Sequence, residues 1–174
     1  MLSLILGGAR SGKSRRAEAL AIASRRTVVY VATARRLPDD ADWNQRIAHH
    51  RRRRPSSWPC IEEPLELATA LERNAAANQL LLVDCLSVWL SNWLVERPDE
   101  TPPVDALVGT LRRLPGEAVC VANEVGLGVV PESPLGRRFR DLQGELNREV
   151  AAVADRVELW VAGLQLPLKE RGDG

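Results

Sequence analysis

Lysine is nearly missing from this chain of 174 residues: of its 24 basic residues only Lys13 and Lys169 are lysine. Any chemistry that needs an ammonium group therefore has two candidates. Cysteine is also scarce. Cys60, Cys85 and Cys120 are odd in number and widely spaced, with no C-x-x-C among them. That argues against a disulfide framework or a Cys-rich zinc site, and the three are expected to be small buried hydrophobes in a reducing cytoplasm. An excess of one charge is lacking too, since 24 basic and 23 acidic residues leave a net +1. A chain that coats nucleic acid usually shows a larger basic surplus. The longest apolar tract, Leu80 to Val95, is broken by Asp84, Ser87, Ser91 and Asn92, so no lipid-facing span of about 20 residues is expected. Met1 to Leu6 is apolar but runs straight into Gly7-Gly8-Ala9-Arg10 with no basic stretch before it, unlike a secretory signal.

What is present is the composition of a soluble globular protein, 45% hydrophobic and 27% charged. The length suits one catalytic domain over 1–174. Five short β-prone runs stand out: Leu2–Leu6, Thr27–Ala32, Leu80–Asp84, Ala118–Ala122 and Val157–Ala162. Most are continuously apolar, as strands buried on both faces of a parallel sheet are. Helical patterns lie between them: Lys13 to Ser24, Leu65 to Ala77, Val104 to Leu114, and Leu135 to Val153. The alternation predicts a three-layer α/β fold with a mainly parallel central sheet. Ala34 to Pro64 is polar and Arg-rich, a functional insertion that is part helix and part loop. Arg97 to Pro103 is expected to be an exposed connection.

Gly7-Gly8-Ala9-Arg10-Ser11-Gly12-Lys13-Ser14 fits G-x-x-x-x-G-K-[ST] between a strand and a helix, the setting of a P-loop. Glycines let successive N–H groups turn toward phosphate oxygens, and the helix N-terminus adds partial positive charge. Lys13 is expected to reach the β- and γ-phosphates, and Ser14 to hold Mg²⁺. Leu80-Leu81-Leu82-Val83-Asp84 is an apolar strand ending in a carboxylate at the same sheet edge, a Walker-B-like arrangement. Asp84 either serves the metal or caps the following helix. The two histidines, His49 and His50, precede four arginines, Arg51, Arg52, Arg53 and Arg54. These form a solvated basic loop, a nucleic-acid patch, or a grip on triphosphate oxygens beside a nucleophilic imidazole.

These motifs resemble the bifunctional adenosylcobinamide kinase / adenosylcobinamide-phosphate guanylyltransferase family of cobalamin biosynthesis. The likeness begins with Gly7 to Arg15 and continues in Tyr30-Val31-Ala32-Thr33-Ala34. It extends through Arg46-Ile47-x-x-His50-Arg51-x-x-Arg54-Pro55-x-x-Trp58 and Val83-Asp84-Cys85-Leu86-Ser87-x-Trp89-Leu90-x-Asn92. Asn123 to Pro131, Phe139-Arg140-Asp141-Leu142-x-Gly144-x-Leu146-Asn147 and Val161-Ala162-Gly163-Leu164 complete it. The resemblance implies a RecA-like P-loop NTPase fold and a homotrimer. It implies phosphorylation of the aminopropanol hydroxyl of adenosylcobinamide by ATP or GTP. GMP would then pass from GTP to adenosylcobinamide phosphate through a guanylyl-histidine. The pattern R-I-x-x-H-R sets the nucleophile at His50 rather than His49. Nucleotide contacts are implied for Gly7 to Ser14, Thr33, Ala34, Arg51 to Arg54, Glu62 and Asp84. Glu62 is either a partner for a guanine edge or ribose hydroxyl, or a surface charge. The Asn123–Pro131 loop is either a phosphate or corrinoid contact or a structural turn. The five tryptophans suit core or interface more than a corrinoid platform. Two other functions compete: a single-activity P-loop kinase for a small metabolite, which leaves the His-Arg segment without a role, and a RecA-type nucleic-acid-binding module using Arg51 to Arg54.

Overall fold

The computed structural model describes residues 1–170; the end of the expected 1–174 domain, residues 171–174, lies outside them. Among the described residues seven strands and six helices follow one another, alternating except at α4–α5 and β6–β7: β1 (Leu2–Gly7), α1 (Lys13–Ala23), β2 (Thr27–Ala32), α2 (Ala41–Arg53), β3 (Cys60–Glu62), α3 (Leu67–Asn74), β4 (Gln79–Asp84), α4 (Leu86–Glu96), α5 (Val104–Arg113), β5 (Glu117–Asn123), α6 (Pro134–Val153), β6 (Arg156–Val161) and β7 (Leu164–Lys169). They form one sheet in the order β3-β2-β4-β5-β1-β6-β7. Every neighbouring pair is parallel except β6 and β7.

The strands read as continuous apolar runs because both faces of the sheet are covered. On β1, Leu2, Leu4 and Leu6 pack on one face with Leu67, Leu71, Trp89, Leu107, Leu146 and Val150 of α3 to α6. Ile5 points to the other face, where Val28, Tyr30, Leu82 and Val121 meet Ala17 and Ala21 of α1. The small residues let α1 lie close to the sheet, which brings its N-terminus to the carboxyl edge of β1. Side-chain alternation on a strand therefore produces three layers.

The structure extends the sequence-based expectation at several points. The Ala34–Pro64 insertion contains a 13-residue helix and a three-residue strand. The tract at Leu80–Val95 divides into β4 and a mostly buried helix, α4. Leu164–Lys169 is an added antiparallel edge strand. The last β-prone run stops at Val161 because Ala162 (φ 52) and Gly163 (φ 82) turn the chain. Arg97 to Pro103 has no helix or strand, as expected, although Pro102 is buried. Cys85 and Cys120 are buried, whereas Cys60 is exposed on the short strand β3 and does not fit the expected core role. Among the described residues, no helix is long and apolar enough to cross a membrane.

Candidate active site

The carboxyl ends of β1, β2 and β4 open into a cleft of about 840 Å³. The P-loop forms its floor. Gly7 (φ 156) starts the loop, and a Cβ there would sit 2.5 Å from both Ser11 Oγ and the Trp160 carbonyl. Arg10 (φ 57) and Gly12 (φ 101) both take positive φ, which curls the backbone into a concave nest of N–H groups. Helix α1 has no side-chain N-cap and no acidic residue in its first turn. Its first intrahelical donor is Arg16 N, to Gly12 O at 3.0 Å. Ser11 N donates to Gly8 O at 3.3 Å, whereas the N–H groups of Gly12, Lys13, Ser14 and Arg15 have no partner among the described residues and are available to an anion. The β6–β7 turn supports the loop: Gly163 N donates to Ser11 O at 3.0 Å, and Trp160 packs 3.4 Å from the position of a Gly12 Cβ.

Lys13 Nζ donates to Gly8 O at 2.8 Å and so arches over the loop. Burial lowers its ammonium pKa below the ordinary lysine value, while Cys85 and Asp84 oppose that shift. Asp84, at the end of β4, divides its two oxygens. Ser14 Oγ donates to Oδ1 at 3.4 Å. Tyr30 Oη donates to Oδ2 at 2.9 Å, and His50 Nδ1 lies 3.4 Å from the same oxygen. Burial pushes the Asp84 carboxyl upward, but His50, Tyr30 and Lys13 together hold it below the usual carboxylate range. The helix-capping alternative for Asp84 is not what the structure displays, since Cys85 is the N-cap residue of α4 and no side chain caps it.

His50 reaches Asp84 from α2. Asp40 starts that helix by accepting a hydrogen bond from Trp43 N at 2.8 Å. With Nδ1 turned to Asp84, Nε2 is the ring nitrogen left for other chemistry. His49 also lines the cleft, with its ring edge-on to His50 at 6.3 Å.

The other expected contacts separate into groups. Ala9 to Ser14, Ala34, Arg51, Arg52, Arg53, Arg54, Glu62 and Asp84 line the cleft. Gly7 and Gly8 shape the loop without lining it. Thr33 does not line it either, because the side chain is fully buried. Its hydroxyl accepts from Cys85 N at 2.9 Å and donates to Cys85 O at 2.8 Å, so it clamps the backbone next to Asp84. Arg53 lines the cleft, but its fork is engaged by Glu18. Arg54 stacks over the Tyr30 ring at 4.4 Å. Among the described residues, no carboxylate pairs with Arg10, Arg51 or Arg52, and nothing engages the Glu62 carboxylate.

Sequence reasoning assigned no role to Tyr30, Arg36 or Arg46, which also line the cleft, and Trp43, expected in core or interface, lines the cleft instead because it sits on the largely exposed helix α2. Asn123 lines it too, at the end of β5, where Ser87 Oγ accepts from its N–H and Asn147 Nδ2 donates to its carbonyl. Farther along this loop, Leu127, Val129 and Val130 are exposed and do not line the cleft. Trp89 and Trp93 are core residues, as expected.

Comparison with known proteins finds relatives along almost the whole chain. A model of the family described as cobinamide kinase / cobinamide phosphate guanyltransferase matches residues 3–168. The chain is 49% identical over 173 residues to the bifunctional adenosylcobalamin biosynthesis protein CobP of Pseudomonas aeruginosa, covering 97% of this chain and 98% of that protein. It is 38% identical over 184 residues to the bifunctional adenosylcobalamin biosynthesis protein CobU of Escherichia coli, covering 97% and 100%. Among solved structures, the flagellar accessory protein FlaH of Methanocaldococcus jannaschii is similar at TM-score 0.59 and 17% identity, over 98% of this chain and 78% of that one. The RadB recombinase is similar at TM-score 0.52 and 13% identity, over 91% and 73%. At those identities the likeness is one of fold, and it agrees with the expected P-loop NTPase architecture. With full-length relatives and a matching family model, the chain belongs to the cobinamide kinase / cobinamide phosphate guanyltransferase family.

Proposed function

We propose that this protein, acting as one catalytic domain in the cytoplasm, phosphorylates adenosylcobinamide and then guanylylates the product. The observation that carries the reading is the placement of His50 Nδ1 3.4 Å from Asp84, with Asp84 also bonded to Ser14 of the P-loop. A phosphate cradle and an oriented imidazole share one cleft. A simple metabolite kinase gives the imidazole no role. A nucleic-acid module relies on Arg51 to Arg54, yet Arg53 is taken by Glu18 and Arg54 by Tyr30.

In the kinase step, the P-loop N–H groups and Lys13 hold the triphosphate of ATP or GTP. They stabilise charge as the γ-phosphoryl group moves to the aminopropanol hydroxyl. That hydroxyl releases its proton to solvent, its oxygen bonds the γ-phosphorus, the bond from that phosphorus to the bridging oxygen breaks, and the nucleoside diphosphate leaves. In the second step, His50 Nε2 attacks the α-phosphorus of GTP. The bond to the bridging oxygen breaks, and pyrophosphate departs. An oxygen of adenosylcobinamide phosphate then attacks the guanylyl group, forms adenosylcobinamide-GDP and releases the imidazole. Asp84 Oδ2 keeps Nδ1 turned away from the nucleotide in both half-steps. Glu62, with an unengaged carboxylate in the cleft, is suited to a guanine N–H edge or a ribose hydroxyl.

Ser14 Oγ and Asp84 Oδ1 are hard oxygen donors 3.4 Å apart, the donor type Mg²⁺ takes. A bound Mg²⁺ would neutralise phosphate charge there. The test of the overall reading is incubation with adenosylcobinamide and GTP followed by mass analysis. Adenosylcobinamide phosphate and then adenosylcobinamide-GDP are expected; an end at the phosphate would leave only the kinase.

We also propose a homotrimer. Val161, Leu164, Leu166 and Leu168 of the β6–β7 hairpin are exposed, and an apolar edge strand is a surface that calls for cover. Sedimentation is expected to give three times the 19.2 kDa chain mass, and Leu166→Asp is expected to shift it toward the monomer. A monomer in the unsubstituted protein would end this assignment.

A further inference from the structure

Helix α2 carries His50, yet no residue of α2 is fully buried. Most helices in proteins are held by an apolar face packed on the core. This one is held to the P-loop side of the fold by polar ties. Arg53 Nε donates to Glu18 Oε2 at 2.9 Å and to Oε1 at 3.1 Å, and Arg53 Nη2 donates to Oε1 at 2.8 Å. Further ties among the described residues are the His50–Asp84 contact, the stacking of Arg54 on Tyr30, and the bond that Trp43 Nε1 donates to Arg35 O at 2.9 Å.

Glu18 is out of place by composition. It lies on α1 between Ala17 and Ala19 and is only 7% exposed. A carboxylate buried there is costly unless it is paired and hydrogen-bonded. Among the described residues the hydrogen bonds that its carboxylate accepts all come from Arg53. The fork is therefore a fixed point between α1, which begins at the P-loop, and α2, which carries the imidazole. His50 precedes Arg53 by three residues, so both lie on one face of α2. One residue of slippage turns a helix by about 100°, enough to carry His50 away from Asp84 and bring His49 round.

We infer that Glu18 is a positioning residue for guanylyl transfer. Through Arg53 it sets the rotation of α2 so that His50, and not His49, faces Asp84 and the nucleotide. Glu18 touches no reacting atom. The inference rests on the reading of His50 as the nucleophile. It separates the two activities, because the kinase step uses the P-loop and needs no imidazole.

The test compares Glu18→Gln and Glu18→Asp with the unsubstituted protein. GTP labelled at the α-phosphate reports the guanylyl-enzyme, and γ-phosphate transfer to adenosylcobinamide reports the kinase and an intact fold. Glu18→Gln keeps the shape but loses the charge-assisted fork. Its maximal guanylylation rate is expected to fall by about 10–100-fold, as for misplacement of a reacting group by roughly 1 Å. Half-saturation by GTP and the kinase rate are expected to stay within about twofold. Glu18→Asp, which keeps the charge, is expected to recover part of the loss. Unchanged guanylylation in Glu18→Gln, or an equal fall in both transfers, overturns the inference. His50→Ala, run alongside, tells the two failures apart. Label retained there removes the nucleophile assignment and this inference with it. Label lost there but undiminished in Glu18→Gln removes only the role of Glu18.

Discussion

Alanine in place of Lys13 is expected to slow both transfers by about 10²–10³-fold, the usual cost of deleting one donor that meets developing charge. Kinase and guanylyl transfer are measured separately on the same preparation. Lys13 is the one lysine in the cleft, and its Nζ is already tied to Gly8 O above the loop. In the proposed mechanism both reactions move negative charge onto phosphate oxygens that this ammonium would face, at the γ-phosphoryl group in one and at pyrophosphate in the other. A loss in only one transfer would mean that the two reactions do not share the cradle.

The electrostatics of Lys13 add a pH signature. Burial lowers its pKa from the ordinary 10.5, so the empty site sheds its proton at a lower pH than an exposed lysine does. A bound triphosphate favours the charged form and raises the value again. Nucleotide binding therefore takes up protons on the alkaline side, and affinity falls as pH rises toward 10.5. Calorimetry in two buffers of different ionisation enthalpy measures that uptake, which is expected to disappear in Lys13→Ala. Asp84 behaves in the opposite sense. Its pKa is lowered from 3.8, so it is ionised at neutral pH. Its contribution to stability is present above that value and is lost only as pH falls through the lower folded-state value.

The layout of the nucleotide end was legible because several local signals agreed there. Gly7 to Ser14 carries turn-forming glycines, a strand before and a helix after, and β4 is an apolar strand with one carboxylate at its end. Other elements lacked such signals. Strand β3 has three residues, two of them exposed, so no apolar alternation marks it. Strand β7 is exposed along nearly its whole length and contains Pro167, which a solvent-facing edge tolerates. Helix α4 is buried around most of its circumference and lacks the polar face that reveals a helix.

In the site, the sequence could suggest which residues meet but not how each spends its hydrogen bonds. Thr33 lies beside Ala34 at the end of β2, but its hydroxyl is consumed by the Cys85 backbone. Arg53 is one of four adjacent arginines, and only the fold distinguishes it through a glutamate 35 positions away. Glu18 gave no signal, since a glutamate on an Ala-rich helix is ordinarily solvated. Long-range pairing of this kind depends on how α1 and α2 dock, which no local pattern encodes.

His50→Ala is expected to suppress guanylyl transfer on the order of 10⁴–10⁶-fold, the scale seen when a covalent nucleophile is removed. Phosphorylation of adenosylcobinamide should persist, because its acceptor attacks the γ-phosphorus directly. With GTP labelled at the α-phosphate, the unsubstituted enzyme should retain an acid-labile, base-stable label, as a phosphorus–nitrogen bond does, and His50→Ala should retain none. His49→Ala separates the neighbouring rings. His50 Nδ1 is turned to Asp84 at 3.4 Å, whereas no ion pair ties His49 to a carboxylate among the described residues. Loss of label in His49→Ala with retention in His50→Ala would move the nucleophile by one position. That shift requires α2 to rotate and the Glu18–Arg53 fork to open, so the same pair of variants also tests whether this docking persists during turnover.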